Sequence, residues 1–227
     1  MIEKFVQREN TIFDILNALI AENIFFILVG GYAVSVYKYR FSVDADIVIK
    51  KEDLEKCEEI LKRKKMVKTV MKDLDHVYAP LFMRYETKEQ LPVSIDILIE
   101  GVGSRTTDAS YSIEQLKKHS QKKMIIGSEK QVHAFIPSRE FLIVLKIHAG
   151  RLTDFRDIAA LSKDLDIDLI QDLLWRGKKE VIKQHLKQLF ALLEKKDFRD
   201  SFKGVFSQKK YDLDIQEVNK LKKLLEP

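Results

Sequence analysis

Cysteine is almost absent: Cys57 is the only one in 227 residues, which excludes a disulfide framework and any cysteine-based zinc cluster. Glycine and proline are scarce as well, at 8 and 4, so no stretch reads as a low-complexity linker, and no internal repeat is visible. No run approaches the ~20 consecutive apolar residues of a membrane helix. The longest candidates, residues 24–29 and 141–145, have the size of ordinary core elements. The opening Met1-Ile2-Glu3-Lys4 lacks a basic-then-apolar leader, and the expectation is a cytoplasmic protein with no membrane partner. Neither sign of charge dominates. Forty Lys and Arg stand against 35 Asp and Glu, a net +5 that permits a polyanionic partner without requiring one. What is present in quantity is apolar residues, at 45%, enough for a substantial core and too many for wholesale disorder.

Periodicity divides the chain into two textures. Residues 1–22 carry Ile12, Phe13, Ile15, Leu16, Leu19 and Ile20 at the 3–4 spacing of an amphipathic helix. A short buried strand, 25–29, stops at Gly30-Gly31, and a helix is expected over 32–39. Alternation predicts a second strand over 44–50, a charged helix over 51–65, and strand-like runs at 67–71, 76–84 and 93–99. A polar stretch follows Gly101 and Gly103, with a helix near 112–120 and a last strand over 131–136. From Ser138, an N-cap in front of Phe141-Leu142-Ile143-Val144-Leu145, the sequence is helical almost to its end. The expected architecture is α/β (α+β): a mixed sheet with flanking helices over 1–137, followed by a helical domain over 138–227.

Three carboxylates fall where chemistry is expected. Asp44 and Asp46 are one residue apart on a strand, so both project from one face. At that spacing they repel each other and gain most from a shared divalent cation. Asp96 sits in Val93-Ser94-Ile95-Asp96-Ile97-Leu98, where a lone carboxylate is costly unless paired or metal-bound. If the two strands are neighbours, three carboxylates converge as a ligand set for two Mg²⁺ ions and in-line phosphoryl chemistry. An Asp-x-Asp alone is more often a solvated edge, and a Gly-Gly alone is more often a tight turn. The ordered combination is harder to obtain by chance: apolar strand, Gly30-Gly31, short helix, Asp44-x-Asp46, then Asp96 on a later strand. A glycine pair there lets backbone N–H groups approach phosphates closely.

That combination, Val29-Gly30-Gly31…Asp44-Ala45-Asp46-Ile47 with Asp96 downstream, resembles the signature of the polymerase-beta-like nucleotidyltransferases. Arg40-Phe41-Ser42-Val43 looks like the Arg-x-Thr/Ser-x of the branch containing the abortive-infection type toxin nucleotidyltransferases. A second block, Lys146 followed by Asp154 and Asp157, is similar to that branch's helix after the sheet. The resemblance covers roughly residues 25–162 and implies transfer of a nucleoside monophosphate from an NTP, ATP included, with Mg²⁺ or Mn²⁺. It implies Asp44, Asp46 and Asp96 as metal-holding catalytic residues, and Gly30, Gly31, Arg40, Ser42, Lys146 and Asp157 around the nucleotide. Gly31 departs from the Ser that many members carry there, which removes one hydroxyl contact to a triphosphate.

Lys146 and Asp157 are eleven residues apart, three turns of a continuous helix, and would share a face; a break at Gly150 would undo that alignment. A surface Lys–Asp pair explains them equally well from the residues alone. Arg151 and Arg156 are weaker candidates, more simply solvated. The five histidines show no metal-ligand spacing, and Gly101-Val102-Gly103-Ser104 lacks the Gly-Lys-Ser/Thr of a phosphate loop and reads as a turn. Between Arg176 and Pro227, 14 Lys and Arg face 8 Asp and Glu, so the basic excess lies in the helical part. RNA, a tRNA end in particular, is the favoured acceptor, and a small antitoxin-like protein a possible partner. Modification of a protein or a small molecule, or a non-catalytic NTP-binding module, are the alternatives.

Overall fold

The computed structural model describes residues 2–74, 77–206 and 213–225. In chain order the sheet half contains α1 (Ile2–Ala21), β1 (Phe26–Val29), α2 (Gly30–Ser35), β2 (Asp44–Ile49), α3 (Leu54–Arg63), β3 (Met66–Asp73), β4 (Leu81–Thr87), β5 (Ser94–Ile99), β6 (Gly101–Ser104), β7 (Ala109–Ser112), α4 (Ile113–Lys118), β8 (Ser120–Ile126) and β9 (Gln131–Pro137). The helical half follows as α5 (Arg139–Ala149), α6 (Leu152–Leu161), α7 (Ile167–Leu174), α8 (Lys179–Leu193), α9 (Lys196–Asp200), α10 (Phe202–Val205) and α11 (Ile215–Asn219), closed by a 3₁₀ segment, Lys220–Leu225.

Seven strands make one mixed sheet in the order β3-β4-β5-β2-β1-β9-β8. β2 runs parallel to β5 and β1 parallel to β9; the other neighbours are antiparallel. The expected adjacency of the two Asp-bearing strands is therefore met, with Asp46 opposite Asp96. Helix α1 lays its predicted stripe of Ile12, Phe13, Leu16 and Leu19 into the core. Helix α5 buries Phe141, Leu142, Ile143, Val144 and Ile147, and a helix so apolar around its circumference belongs inside. Ser138 caps it as expected, accepting from the Phe141 N–H.

Three segments differ from expectation. Helix α2 is shorter than 32–39, running Gly30–Ser35. The polar stretch after Gly101 is a two-stranded hairpin, β6–β7, rather than a turn. Residues 120–126 form an edge strand, β8, hidden in the sequence because its Gln121 and Lys122 are exposed, as edge positions commonly are. Of the sequence features singled out, His76 and Tyr211 lie outside the described residues.

Candidate active site

Strand β1 is buried over all four residues, which fixes its end. There Gly30 turns with φ +68°, and a Cβ on it would fall on the Asp46 carboxylate. Only glycine combines that left-handed conformation with so close an approach. At Gly31, a Cβ would stand 2.6 Å from Ser42 Oγ and 3.3 Å from Arg40 Nη2. The Ser42 hydroxyl thus already fills the room a residue-31 side chain would need. It donates to Asp44 Oδ1 at 2.6 Å, while Tyr32 OH donates to the Ser42 carbonyl at 2.9 Å and ties the loop to α2.

Register places Val29, Asp46, Asp96, Arg84 and Val70 opposite one another across β1, β2, β5, β4 and β3. Neighbouring strands are about 4.8 Å apart, so the carboxylates of Asp46 and Asp96 are brought side by side. Asp96 is buried and takes Arg84 in a bidentate grip, with Nε to Oδ1 and Nη2 to Oδ2 both at 2.7 Å. This grip holds the Arg84 guanidinium above its usual range. Asp46 has no such partner: burial, then the charges of Asp44 and Asp96, push its carboxyl up to about 7. Among the described residues, no three His, Cys, Asp or Glu side chains are grouped closely enough to hold one metal ion together. Asp46 and Asp96 share a cross-strand row, with Asp44 two residues along β2 opposite Ser94. Asp96 is turned to Arg84 and Asp44 to Ser42, so the three carboxylates do not share a centre.

The opposite wall is a helix corner. Gly150, φ +65°, breaks the helix after Ala149 and α6 starts again at Leu152. The single continuous helix that would align Lys146 with Asp157 is therefore absent; the corner brings them together instead. Lys146 Nζ lies 2.9 Å from Asp154 Oδ1 and 2.8 Å from Asp157 Oδ2. Arg40 grips Asp157 from the other side at 2.5 and 2.7 Å, and Arg151 Nε reaches Asp154 Oδ2 at 2.7 Å. Lys146, Asp154 and Asp157 are all buried, so this is not a surface pair. Burial alone would lower the Lys146 ammonium, but Asp157 and Asp154 outweigh it and hold it above its ordinary value. Lys146 and Arg151 in turn hold Asp154 below the usual carboxylate range despite its burial. Arg156 points elsewhere, donating to Ser201 Oγ at 2.7 Å.

Between floor and wall lies a cleft of about 580 Å³, lined by Gly30, Asp46, Asp96, Lys146, Arg151 and Asp154 at its catalytic end. Its far end is closed by β3, β4 and the β6–β7 hairpin, which buried His148 clamps to α5. Thr107 Oγ1 lies 2.8 Å from its Nδ1 and Tyr111 OH 2.8 Å from its Nε2. Ser104 and Thr106 both donate to its carbonyl oxygen. Tyr111 gives its proton to the Leu173 carbonyl, so Nε2–H donates to Tyr111 and Nδ1 accepts from Thr107. Burial pushes this imidazole down to about 4. Arg84 and the His148 clamp escape a sequence reading, whereas Asp154, already singled out with Lys146 and Asp157, is found paired with Lys146. The inward alternation of Phe82 and Arg84 is the one signal that could have paired Arg84 with Asp96.

A mixed sheet with Asp46 and Asp96 side by side, a Gly-Gly turn and a basic helix corner is the arrangement that the resemblance to the polymerase-beta-like nucleotidyltransferases implies. Residues 14–224 match the family described as nucleotidyl transferase AbiEii toxin, type IV TA system. The chain belongs to that family, and it is a nucleotidyltransferase. Among curated proteins, none matches it. Its fold is similar to that of the antibiotic-resistance factor ANT(2'')-Ia, at 15% identity and TM-score 0.52 over 86% of this chain and 97% of that one. It is also similar to an H. pylori protein described as a nucleotidyltransferase, at 16% identity and TM-score 0.51 over 98% of this chain and 93% of the other. Among the described residues, no helix is long and apolar enough to cross a membrane.

Proposed function

We propose that the cleft moves a nucleoside monophosphate from an NTP, ATP among them, to a hydroxyl of RNA, a tRNA end being favoured. In this reading the protein is the toxin of a pair whose partner is a small antitoxin-like protein. Residues 1–137 are the catalytic domain, and the helical domain 138–227 lends Lys146 and Asp157 back to the cleft. The observation that carries the reading is the cross-strand pair Asp46–Asp96 beside the Gly30 turn, with Lys146 lining the same cavity.

The floor suits a divalent cation, Mg²⁺ or Mn²⁺, because its carboxylates exceed its cations and Asp46 is raised by burial and, after it, by the charges of Asp44 and Asp96. Asp44 and Asp46 would hold it, joined by Asp96 as Arg84 yields. When bound, such an ion would supply charge neutralisation for the phosphate oxygens and the pyrophosphate leaving group. Gly30 and Gly31 let the chain come close to the triphosphate, and Ser42 keeps Asp44 oriented. Lys146, oriented by Asp157 and Arg40, supplies the counter-charge. Asp96 takes the proton of the attacking hydroxyl as the oxygen–phosphorus bond forms and the bond to pyrophosphate breaks. The basic excess after Arg176 supports contact with a nucleic-acid backbone.

The test incubates the protein with labelled NTPs, Mg²⁺, total RNA and its antitoxin-like partner protein. Label on RNA, with binding that weakens as salt rises, is the expected result. Label only on protein, with RNA binding insensitive to salt, rejects the RNA acceptor.

A further inference from the structure

Every cation at the catalytic end of the cleft is committed to a carboxylate: Arg84 to Asp96, Lys146 to Asp154 and Asp157, Arg151 to Asp154. Two more basic residues line the same cleft, Lys72 on β3 and Arg105 in the β6–β7 turn. Both are exposed, and among the described residues neither has an ion pair or a side-chain hydrogen bond. They come from different elements, and apolar Phe82, Leu98 and Val102 line the same cleft.

Register sets the distances. Lys72, Phe82 and Leu98 form a row opposite one another on β3, β4 and β5, two residues along from the row of Arg84 and Asp96 and on the same sheet face. Two residues along a strand and two strands across put the Lys72 Cα on the order of 12 Å from that of Asp96. An apolar, aromatic-bearing floor with unpaired cations at its edge is the chemistry of a base-stacking platform beside a phosphate track.

We propose that this far half of the cleft is the acceptor-end subsite, with Phe82 and Leu98 receiving the terminal base of a single-stranded RNA and Lys72 and Arg105 holding its phosphates. The proposal rests on RNA being the acceptor. The His148 clamp fixes the wall that carries Arg105 to the helix that carries Lys146, so both ends of the substrate pair are held by one rigid element.

The experiment measures binding of a fluorescent single-stranded RNA oligonucleotide to the full chain across a salt series, with NTP affinity measured in parallel. Lys72→Ala and Arg105→Ala are each expected to weaken RNA binding roughly five-fold. Each should lower the slope of log affinity against log salt by about 0.7. Phe82→Ala should weaken RNA binding with the slope unchanged. NTP affinity should be unaltered in all three. The proposal is overturned if the double variant keeps its RNA affinity and slope, if it loses NTP affinity to the same degree, or if the wild-type chain binds no RNA. Should RNA go unlabelled while oligonucleotide binding still depends on Lys72 and Arg105, the RNA-acceptor reading falls and the phosphate-holding subsite stands. Should RNA be labelled with an unchanged KM in the double variant, the subsite falls and the acceptor reading stands.

Discussion

The floor and the wall of the cleft are built from the same residue types in opposite proportion. On the floor three carboxylates, Asp44, Asp46 and Asp96, face one guanidinium, Arg84. At the wall two carboxylates, Asp154 and Asp157, face three cations, Arg40, Lys146 and Arg151. Each side therefore has a surplus of one sign: the floor gains from a metal cation, the wall from a phosphate. The wall's two buried carboxylates are both paired, with Arg40 Nε left buried without a partner, whereas the floor keeps Asp46 at a cost that shows in its raised pKa. The paired carboxylates of the wall hold the fold, and the surplus of one sign on each side marks where a ligand would act.

The sharpest way to break this contrast is at Asp46. If it is a metal ligand on a strained floor, Asp46→Asn should cut turnover by about 10⁴-fold or more, roughly 5 kcal/mol of transition-state stabilisation. The same change removes repulsion between Asp46 and its half-buried and buried neighbours Asp44 and Asp96, so stability in a denaturant titration should hold or rise. Equal metal–NTP affinity in variant and wild type, read by calorimetry, would remove Asp46 from the metal site.

The wall should respond in the opposite sense. Asp157→Ala strips a partner from both Arg40 and Lys146 in a buried setting, a loss of about 3–5 kcal/mol in unfolding free energy. A variant as stable as the wild type would show that these ion pairs are dispensable to the fold.

Acid separates the wall's clamp from its charges. His148 is neutral in the folded chain, its pKa lowered to about 4 by burial, with His185 and Arg176 adding to the effect. The unfolded chain takes up this proton near the ordinary value of about 6.5. Stability is therefore fully present above about 6.5 and falls as pH drops towards about 4, by on the order of 3 kcal/mol. The comparison is with His148→Gln, whose unfolding free energy should lack that part of the slope; parallel pH curves would contradict it.

Legibility in the sequence follows locality. Asp44-x-Asp46, Gly30-Gly31 and the Ser138 cap are each defined within a few residues, and each lies where its pattern implies. Arg84 needs the β4–β5 register before it can be matched to Asp96, and register is set by the whole sheet. Strand β8 was hidden because an edge strand carries charges instead of an apolar alternation. Helical periodicity alone would pair Lys146 with Asp157 on one face. Gly150 breaks that periodicity, and the contact survives through the packing of two helices that no local pattern records.

The smallest expected effect decides whether the wall touches ligand at all. Lys146→Ala removes the cation most enclosed by the corner, and two outcomes can be told apart because its carboxylate partners keep others: Asp154 retains Arg151 and Asp157 retains Arg40. Some stability is lost in either case, since a buried ammonium and its stem leave the core. If the wall's surplus charge also serves the triphosphate, NTP binding weakens in addition, by the ~1–3 kcal/mol of a charge-assisted contact, or about 5- to 150-fold. Lys146→Arg should restore less of this than of the stability, because a planar fork does not replace a compact point charge between two carboxylates. Unchanged NTP affinity in Lys146→Ala, measured on protein that is still folded, would make the corner purely structural and leave the nucleotide to the glycine turn and the floor.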